Sequence, residues 1–167
     1  MLVFAIEPVE TSWDEMLELA RAHWYETMQW QHGKQALNPK KERYLQYGQM
    51  GCFFQFTARD NGKMVGYAGM YILPSMHTQQ LIATEDTIFL LPEYRHGRNA
   101  LRFFQYVERE CAARGAREIS ATTKPGTGAG RILEHLGFTL VNYQYSKHLP
   151  ALEACGDTAS VTKDEVH

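Results

Sequence analysis

The sequence predicts a mixed α/β fold, a β-sheet with helices packed on it, and three observations carry that prediction. Helical and strand-like patterns alternate through the second half of the chain, which places helices against a sheet. A strong hairpin signal lies before it, where Asp60-Asn61-Gly62-Lys63, tolerant of positive φ, joins two β-like runs. The length of 167 residues, 44% of them hydrophobic, suits one domain that buries a core without metals or disulfides.

Each element has its own signal. Residues 2–6 form a short apolar run that reads as a strand, and Thr11-Ser12-Trp13-Asp14-Glu15 offers a Ser-x-x-Glu capping box to open a helix. Trp13, Met16, Leu17, Ala20, Trp24, Thr27 and Met28 follow helical spacing and make one buried face. Gly33 and Asn38-Pro39 punctuate the chain before a second helix over residues 40–49. The hairpin strands cover residues 52–58 and 64–73, and another strand runs over 80–91. Residues 99–114 form a helix with an apolar line of Leu101, Phe104, Val107 and Cys111, ended by Gly115. A strand over 117–122, a loop and short helix over 126–136, and a last β-like segment over 139–149 complete the domain, residues 1–150. Residues 151–167 are small, polar and charged, and read as a flexible tail, with a tag or partner motif as alternatives.

Composition excludes several classes. A formal charge of −2 gives no general attraction to nucleic acid or to a membrane surface, and no apolar run approaches the ~20 residues of a spanning helix. Cys52, Cys111 and Cys155 are odd in number, far apart and in no CxxC pair. Together with the lack of a signal-like start, this predicts a soluble protein of a reducing cytoplasm. His23, His32, His77, His96, His135 and His148 show no HxxxH or carboxylate-paired spacing, so no metal is expected, and each reads as a surface or half-buried imidazole, with His96 the exception whose place in the loop before residue 99 could set it beside an anion. Gly126-Thr127-Gly128-Ala129-Gly130 is GxGxG with no room for a following βαβ unit, which argues against a dinucleotide loop.

The most informative segment runs from Leu91 to Leu101, Leu-Pro-Glu-Tyr-Arg-His-Gly-Arg-Asn-Ala-Leu, joining an apolar strand to an amphipathic helix. A helix start carries unpaired N–H groups and a partial positive charge, so an anion there meets several donors, with Arg95 and Arg98 beside it. The order of elements and this loop together resemble the GNAT superfamily of acyl-CoA-dependent N-acyltransferases. The likeness spans about residues 2–149 and rests mainly on 85–138. The family's pyrophosphate loop is Gln/Arg-x-x-Gly-x-Gly/Ala, usually after Pro-Glu-Tyr-Arg; here Pro92-Glu93-Tyr94-Arg95 is intact and Ala100 fills the last small position. Arg98 stands where Gly is usual, with Gly97 one place earlier to let the loop turn. Ile132-Leu133-Glu134-His135-Leu136-Gly137-Phe138 matches a second family phrase, but Leu133 occupies the place where many relatives carry a tyrosine that protonates the departing thiolate.

The resemblance implies a mostly antiparallel central sheet of about six to seven strands flanked by about four helices. It implies acetyl-CoA as co-substrate, its pyrophosphate on Arg95, His96, Gly97, Arg98, Asn99 and Ala100, and its pantetheine arm along the backbone of Phe89, Leu90 and Leu91, with no metal. The reaction it implies is direct attack of an amine on the thioester. An alkyl ammonium of pKa ~10.4 must first lose a proton, at a cost of roughly 4.6 kcal/mol at neutral pH. A carboxylate base offsets part of that, and Glu85 and Asp86 lie where the resemblance puts one; adjacent strand residues face opposite sides, so only one can point into the cleft, and Glu85 ranks first for its longer reach. Tyr143 and Tyr145 on the last strand are candidate proton donors, or aromatic packing on a sheet face. Cys111 reads as core, which leaves no Cys-His nucleophile for a ping-pong route.

The resemblance implies that the acceptor, a small-molecule or protein amine, is chosen by loops and the first two helices, here residues 24–49, where Trp30, His32 and Tyr44 line a cleft or merely pack. An amine, a polyamine, an amino sugar, a protein N-terminus and a lysine all remain compatible, as does a homodimer. The rival reading is a catalytically silent acyl-CoA-binding or regulatory module, which Leu133 keeps in play.

Overall fold

The structure is a computed structural model that describes residues 1–28, 35–124, 126–147 and 149. Its elements run β1 (Val3–Ile6), α1 (Val9–His23), a π-helical turn (Trp24–Met28), α2 (Lys41–Gln49), β2 (Phe53–Asp60), β3 (Lys63–Pro74), β4 (Leu81–Leu90), a 3₁₀ turn (Pro92–Tyr94), α3 (Asn99–Ala113), β5 (Glu118–Ser120) and α4 (Ala129–His135). The sheet follows chain order, β1-β2-β3-β4-β5, antiparallel except for the parallel β4–β5 pair.

The hairpin forms where its turn residues demand it. Asn61 and Gly62 both take positive φ, 47° and 84°, the combination whose twist matches that of the flanking strands. One sheet face buries Phe56, Val65, Ala68, Met70 and Ala83 against Phe103, Val107 and Cys111 of α3. The other packs Phe53, Met64, Tyr67 and Phe89 under Val9, Trp13, Met16, Leu19 and Ala20 of α1. Two cores on one sheet make β4 a shared wall, and this fixes the position of every residue on it.

Three expectations are corrected. Helix α1 begins at Val9, before the anticipated box: Pro8 presets φ at −59°, and Ser12 is fully buried, its hydroxyl donating to Pro8 O at 2.7 Å while accepting from Gln55 Nε2 at 2.7 Å. In α3 the most buried phenylalanine is Phe103, on the i, i+4, i+8 line with Val107 and Cys111, and Phe104 is only half-buried. The strand expected at 139–149 does not form over residues 139–147, so the described sheet has five strands. Alternating residues give a segment strand propensity but not a partner, and no backbone hydrogen bond joins 139–147 to the sheet among the described residues. Leu140, Val141, Tyr143 and Tyr145 are consequently 71%, 84%, 78% and 91% exposed. The expected tail at 151–167 lies outside the described residues.

Candidate active site

The site is built around a defect in β4. Gly69 pairs with Thr87 and Met70 with Glu85, so Asp86 is an extra residue, a β-bulge that sets Asp86 and Thr87 on the α1 side of the sheet. The Asp86 Oδ2 accepts from the Tyr44 hydroxyl at 3.3 Å. Gly69 makes this possible: a Cβ there would stand 3.0 Å from the Phe53 ring and 3.4 Å from Asp86 Oδ2. Desolvation raises the Asp86 pKa above the usual aspartate range, partly offset by the bond from Tyr44.

Glu85 turns elsewhere. Its Oε2 accepts from the backbone N–H of Thr122 at 2.8 Å and from the Thr122 hydroxyl at 3.2 Å. Burial raises its pKa, with the Thr122 bonds opposing that shift. The two carboxylates thus point apart, as strand alternation requires. Strand β5 pairs with β4 through Ile82, Ala83 and Thr84, so among the described residues the edge of β4 from 85 to 90 that faces β5 has no strand partner, and Glu85 and Thr122 bridge the start of the gap.

At the far end of β4 the chain turns into α3. Phe89 and Leu90 are buried, as their reading as core side chains requires, and Leu91 is half-buried. Gly97 has φ +62°, a backbone state that favours glycine. Arg98 precedes α3 without a capping side-chain bond, and the first bond onto the helix is Arg102 N–H to Arg98 O. The N–H groups of Asn99, Ala100 and Leu101 therefore have no acceptor among the described residues. His96, Gly97 and Arg98 are exposed beside them, and Arg98 has no ion-pair partner among the described residues. Arg95 is placed differently: its Nε donates to Leu90 O at 2.6 Å, its other two nitrogens grip Glu26 at 2.6 and 2.9 Å, and its guanidinium lies 5.2 Å from the Phe89 ring centre.

His23 is half-buried, as one of its two sequence readings has it, but its contacts within the site have no counterpart in that reading. Its Nδ1 lies 3.2 Å from both the Tyr67 hydroxyl and the Thr87 hydroxyl, and its ring stacks on Phe89 at 4.7 Å. Burial pushes its pKa down to about 4, so it is neutral at pH 7. The available signal was its spacing, i+4 from Leu19 and i+3 from Ala20 on the buried line of α1. Lys124, beyond β5, donates to Thr27 O in the π-helical turn, tying the two sides of the cleft together.

A run of aromatic rings extends from the bulge outward. Tyr44 meets Trp13 at 5.6 Å and Phe53 at 5.1 Å, Phe53 meets Tyr71 at 5.1 Å, and Tyr71 meets Tyr47 at 5.5 Å. Of the proposed acceptor-cleft residues, Tyr44 is therefore in the site, while Trp30 and His32 lie outside the described residues. Tyr143 and Tyr145 make no ring contact or hydrogen bond among the described residues. Leu133 is the buried residue of α4, 7% exposed. Among the described residues no three His, Cys, Asp or Glu are grouped to hold a metal, and no helix is long and apolar enough to cross a membrane.

Comparison with known proteins bears on the family and the fold. The sequence model of the acetyltransferase (GNAT) family matches residues 13–138. An aminoglycoside acetyltransferase, meta-AAC0020 from an uncultured soil metagenomic sample, solved with sisomicin, superposes with a TM-score of 0.68 at 12% identity, over 91% of this chain and 97% of that one. AAC(6')-Iy, solved with the bisubstrate analogue CoA-S-monomethyl-acetylneamine, gives 0.68 at 19% identity, over 90% and 99%. A ribosomal-protein-alanine N-acetyltransferase from Brucella melitensis biovar Abortus 2308 gives 0.68 at 16% identity, over 90% and 100%. At these identities the likeness is one of fold. No curated protein matches the chain in sequence.

Proposed function

This chain belongs to the acetyltransferase (GNAT) family, and from that premise we propose that it transfers an acetyl group from acetyl-CoA to a primary amine by direct attack in a ternary complex. The observation that carries this reading is the bulge at Asp86, which holds a carboxylate of raised pKa beside the point where β4 and β5 part. Acetyl-CoA supplies the thioester. The unpaired edge of β4 over 85–90 offers backbone donors and acceptors to its extended arm, in the manner of an added strand. The free N–H groups of Asn99, Ala100 and Leu101, with Arg98, offer an anion site for its pyrophosphate.

The acceptor enters as an ammonium and releases one proton to solvent. Its nitrogen then bonds to the thioester carbon as Asp86 takes the second N–H proton, the C–S bond breaks, and the thiolate collects a proton from water. With a thiol pKa of ~8.5, that last step needs no dedicated acid. Tyr143 and Tyr145 therefore have no necessary role, and their exposure gives them no support as donors. Between the carboxylates Asp86 is the better base, because Glu85 already accepts two hydrogen bonds from Thr122. Arg95 acts as a tie between the loop and Glu26.

A silent acyl-CoA-binding module is the second reading, favoured by the burial of Leu133 where many relatives have a tyrosine. Calorimetry with acetyl-CoA and thiol release across a panel of amines separate the two. Binding with acceptor-dependent thiol release supports transfer, binding without it supports the silent module, and absence of binding removes both.

A further inference from the structure

A pocket of about 350 Å³ opens beside α2, and its wall is graded in chemistry. Tyr44, Tyr47 and Tyr71 form its apolar side, while Lys40 and Arg43 stand at its lining as exposed cations with no ion-pair partner among the described residues. Tyr44 belongs to both this pocket and the bulge, since its hydroxyl donates to Asp86. Tyr44 thus meets a carboxylate at its hydroxyl, outside the pocket lining, and shares the pocket wall with two tyrosine rings, one ammonium and one guanidinium.

We propose that the acceptor is amphoteric, a small molecule with a primary amine at one end, an acid group at the other and an apolar or aromatic body between, seated with its amine toward Asp86 and its acid on Lys40 and Arg43. This rests on the acetyl-transfer reading above. The body must be long enough to span the Tyr44 side chain, which calls for an ω-amino acid or an aminomethyl-aryl acid rather than a compound whose two charges are on neighbouring atoms. Ring faces of Tyr44, Tyr47 and Tyr71 fit a flat or extended apolar body. The two cations act twice: they pair with the acid, and they repel any acceptor that presents further positive charges at that point. A polyamine or an aminoglycoside would place an ammonium against Lys40 or Arg43. The aminoglycoside enzymes that share this fold thus differ from this chain in the acceptor that its pocket selects.

A matched pair of acceptors tests the assignment, 4-(aminomethyl)benzoate against 4-methylbenzylamine, with spermidine and sisomicin as polycations. The expected kcat/KM, read as thiol release from acetyl-CoA, is at least 10-fold higher for the benzoate than for its neutral counterpart. In a Lys40→Gln/Arg43→Gln variant that ratio should fall toward one, and added salt should lower it in the parent protein. A polycation as the fastest acceptor, or a ratio that the double substitution leaves untouched, overturns the proposal while leaving acetyl transfer standing. Tyrosine fluorescence titration without acetyl-CoA separates the two ideas further. If 4-(aminomethyl)benzoate binds, binds more weakly to the double variant, and releases no thiol, the pocket assignment holds and the transferase reading falls.

Discussion

Arg95 and Glu26 form a two-pronged ion pair, Nη1 to Oε1 at 2.6 Å and Nη2 to Oε2 at 2.9 Å, that ties the end of the first helical segment to the base of the loop before α3. Both side chains remain more than a third exposed, so the pair itself contributes about 1 kcal/mol or less. Its importance is positional, because Arg95 also donates to Leu90 O and lies against Phe89.

Two arginines in one loop should therefore respond differently. Arg98→Ala removes an unengaged cation beside the free N–H groups and should weaken acetyl-CoA about 10-fold or more, the equivalent of a charge-assisted bond of roughly 1.5–3 kcal/mol. Arg95→Ala should lower the Tm by a few degrees and change affinity less. Calorimetry and thermal melts of both variants check this, and equal losses of affinity at unchanged Tm would return Arg95 to the phosphate.

Asp86→Asn should lower kcat by ~10²–10⁴ and remove the acid limb of the pH–rate profile. Glu85→Gln should cost much less, since an amide oxygen still accepts from Thr122. Tyr44→Phe provides a finer check: the Tyr44 hydroxyl lowers the Asp86 pKa, so its loss should move the acid limb to higher pH. Rates measured from pH 5 to 9 for the three variants decide which carboxylate is the base, and an intact acid limb in Asp86→Asn would exclude Asp86.

Local chemistry explains which parts of this protein were legible in its sequence. Asn61-Gly62 carries its own turn, β4 at Leu81–Leu90 lies within the run expected over 80–91, and α3 starts at the expected Asn99. The bulge at Asp86 depends on how β3 pairs with β4, and no pattern within β4 announces it. Arg95 reads as a phosphate ligand in the sequence, and only the fold brings Glu26, 69 residues away, against it. His23 likewise meets Thr87 across 64 residues. Residues 139–147 show the converse, an alternating pattern that by itself fixes no partner strand.

Acid stability should follow the cluster around Arg59, which donates to Glu7 at 2.7 and 2.8 Å and to Glu15 at 2.8 and 3.0 Å. Hydrogen bonds from Arg59 lower the pKa of both carboxylates. A carboxylate with a depressed folded-state pKa contributes stability above its unfolded pKa of about 4.3 and loses it as pH falls through the folded value. Urea unfolding should therefore weaken below about pH 4.5, and Arg59→Met should flatten that dependence. A variant with the parent's acid profile would show that the cluster does not govern it.

His23 should produce a signature of the same sign in a different window. Its folded-state pKa of about 4 lies below the ordinary value of 6.5, so the unfolded chain binds the proton more tightly and protonation favours unfolding. Sign and window follow: stability at pH 7 is full, declines as pH falls from 6.5 to 4, and is unaffected by this residue below that. A shift of that size corresponds to roughly 3 kcal/mol at most. His23→Gln removes the titrating group and should flatten the decline, although it also loses the stacking on Phe89 and lowers stability at pH 7. NMR titration of the imidazole gives the direct measurement: a His23 midpoint near 6.5 in the folded protein would mean that the ring is solvated and that burial does not hold it neutral.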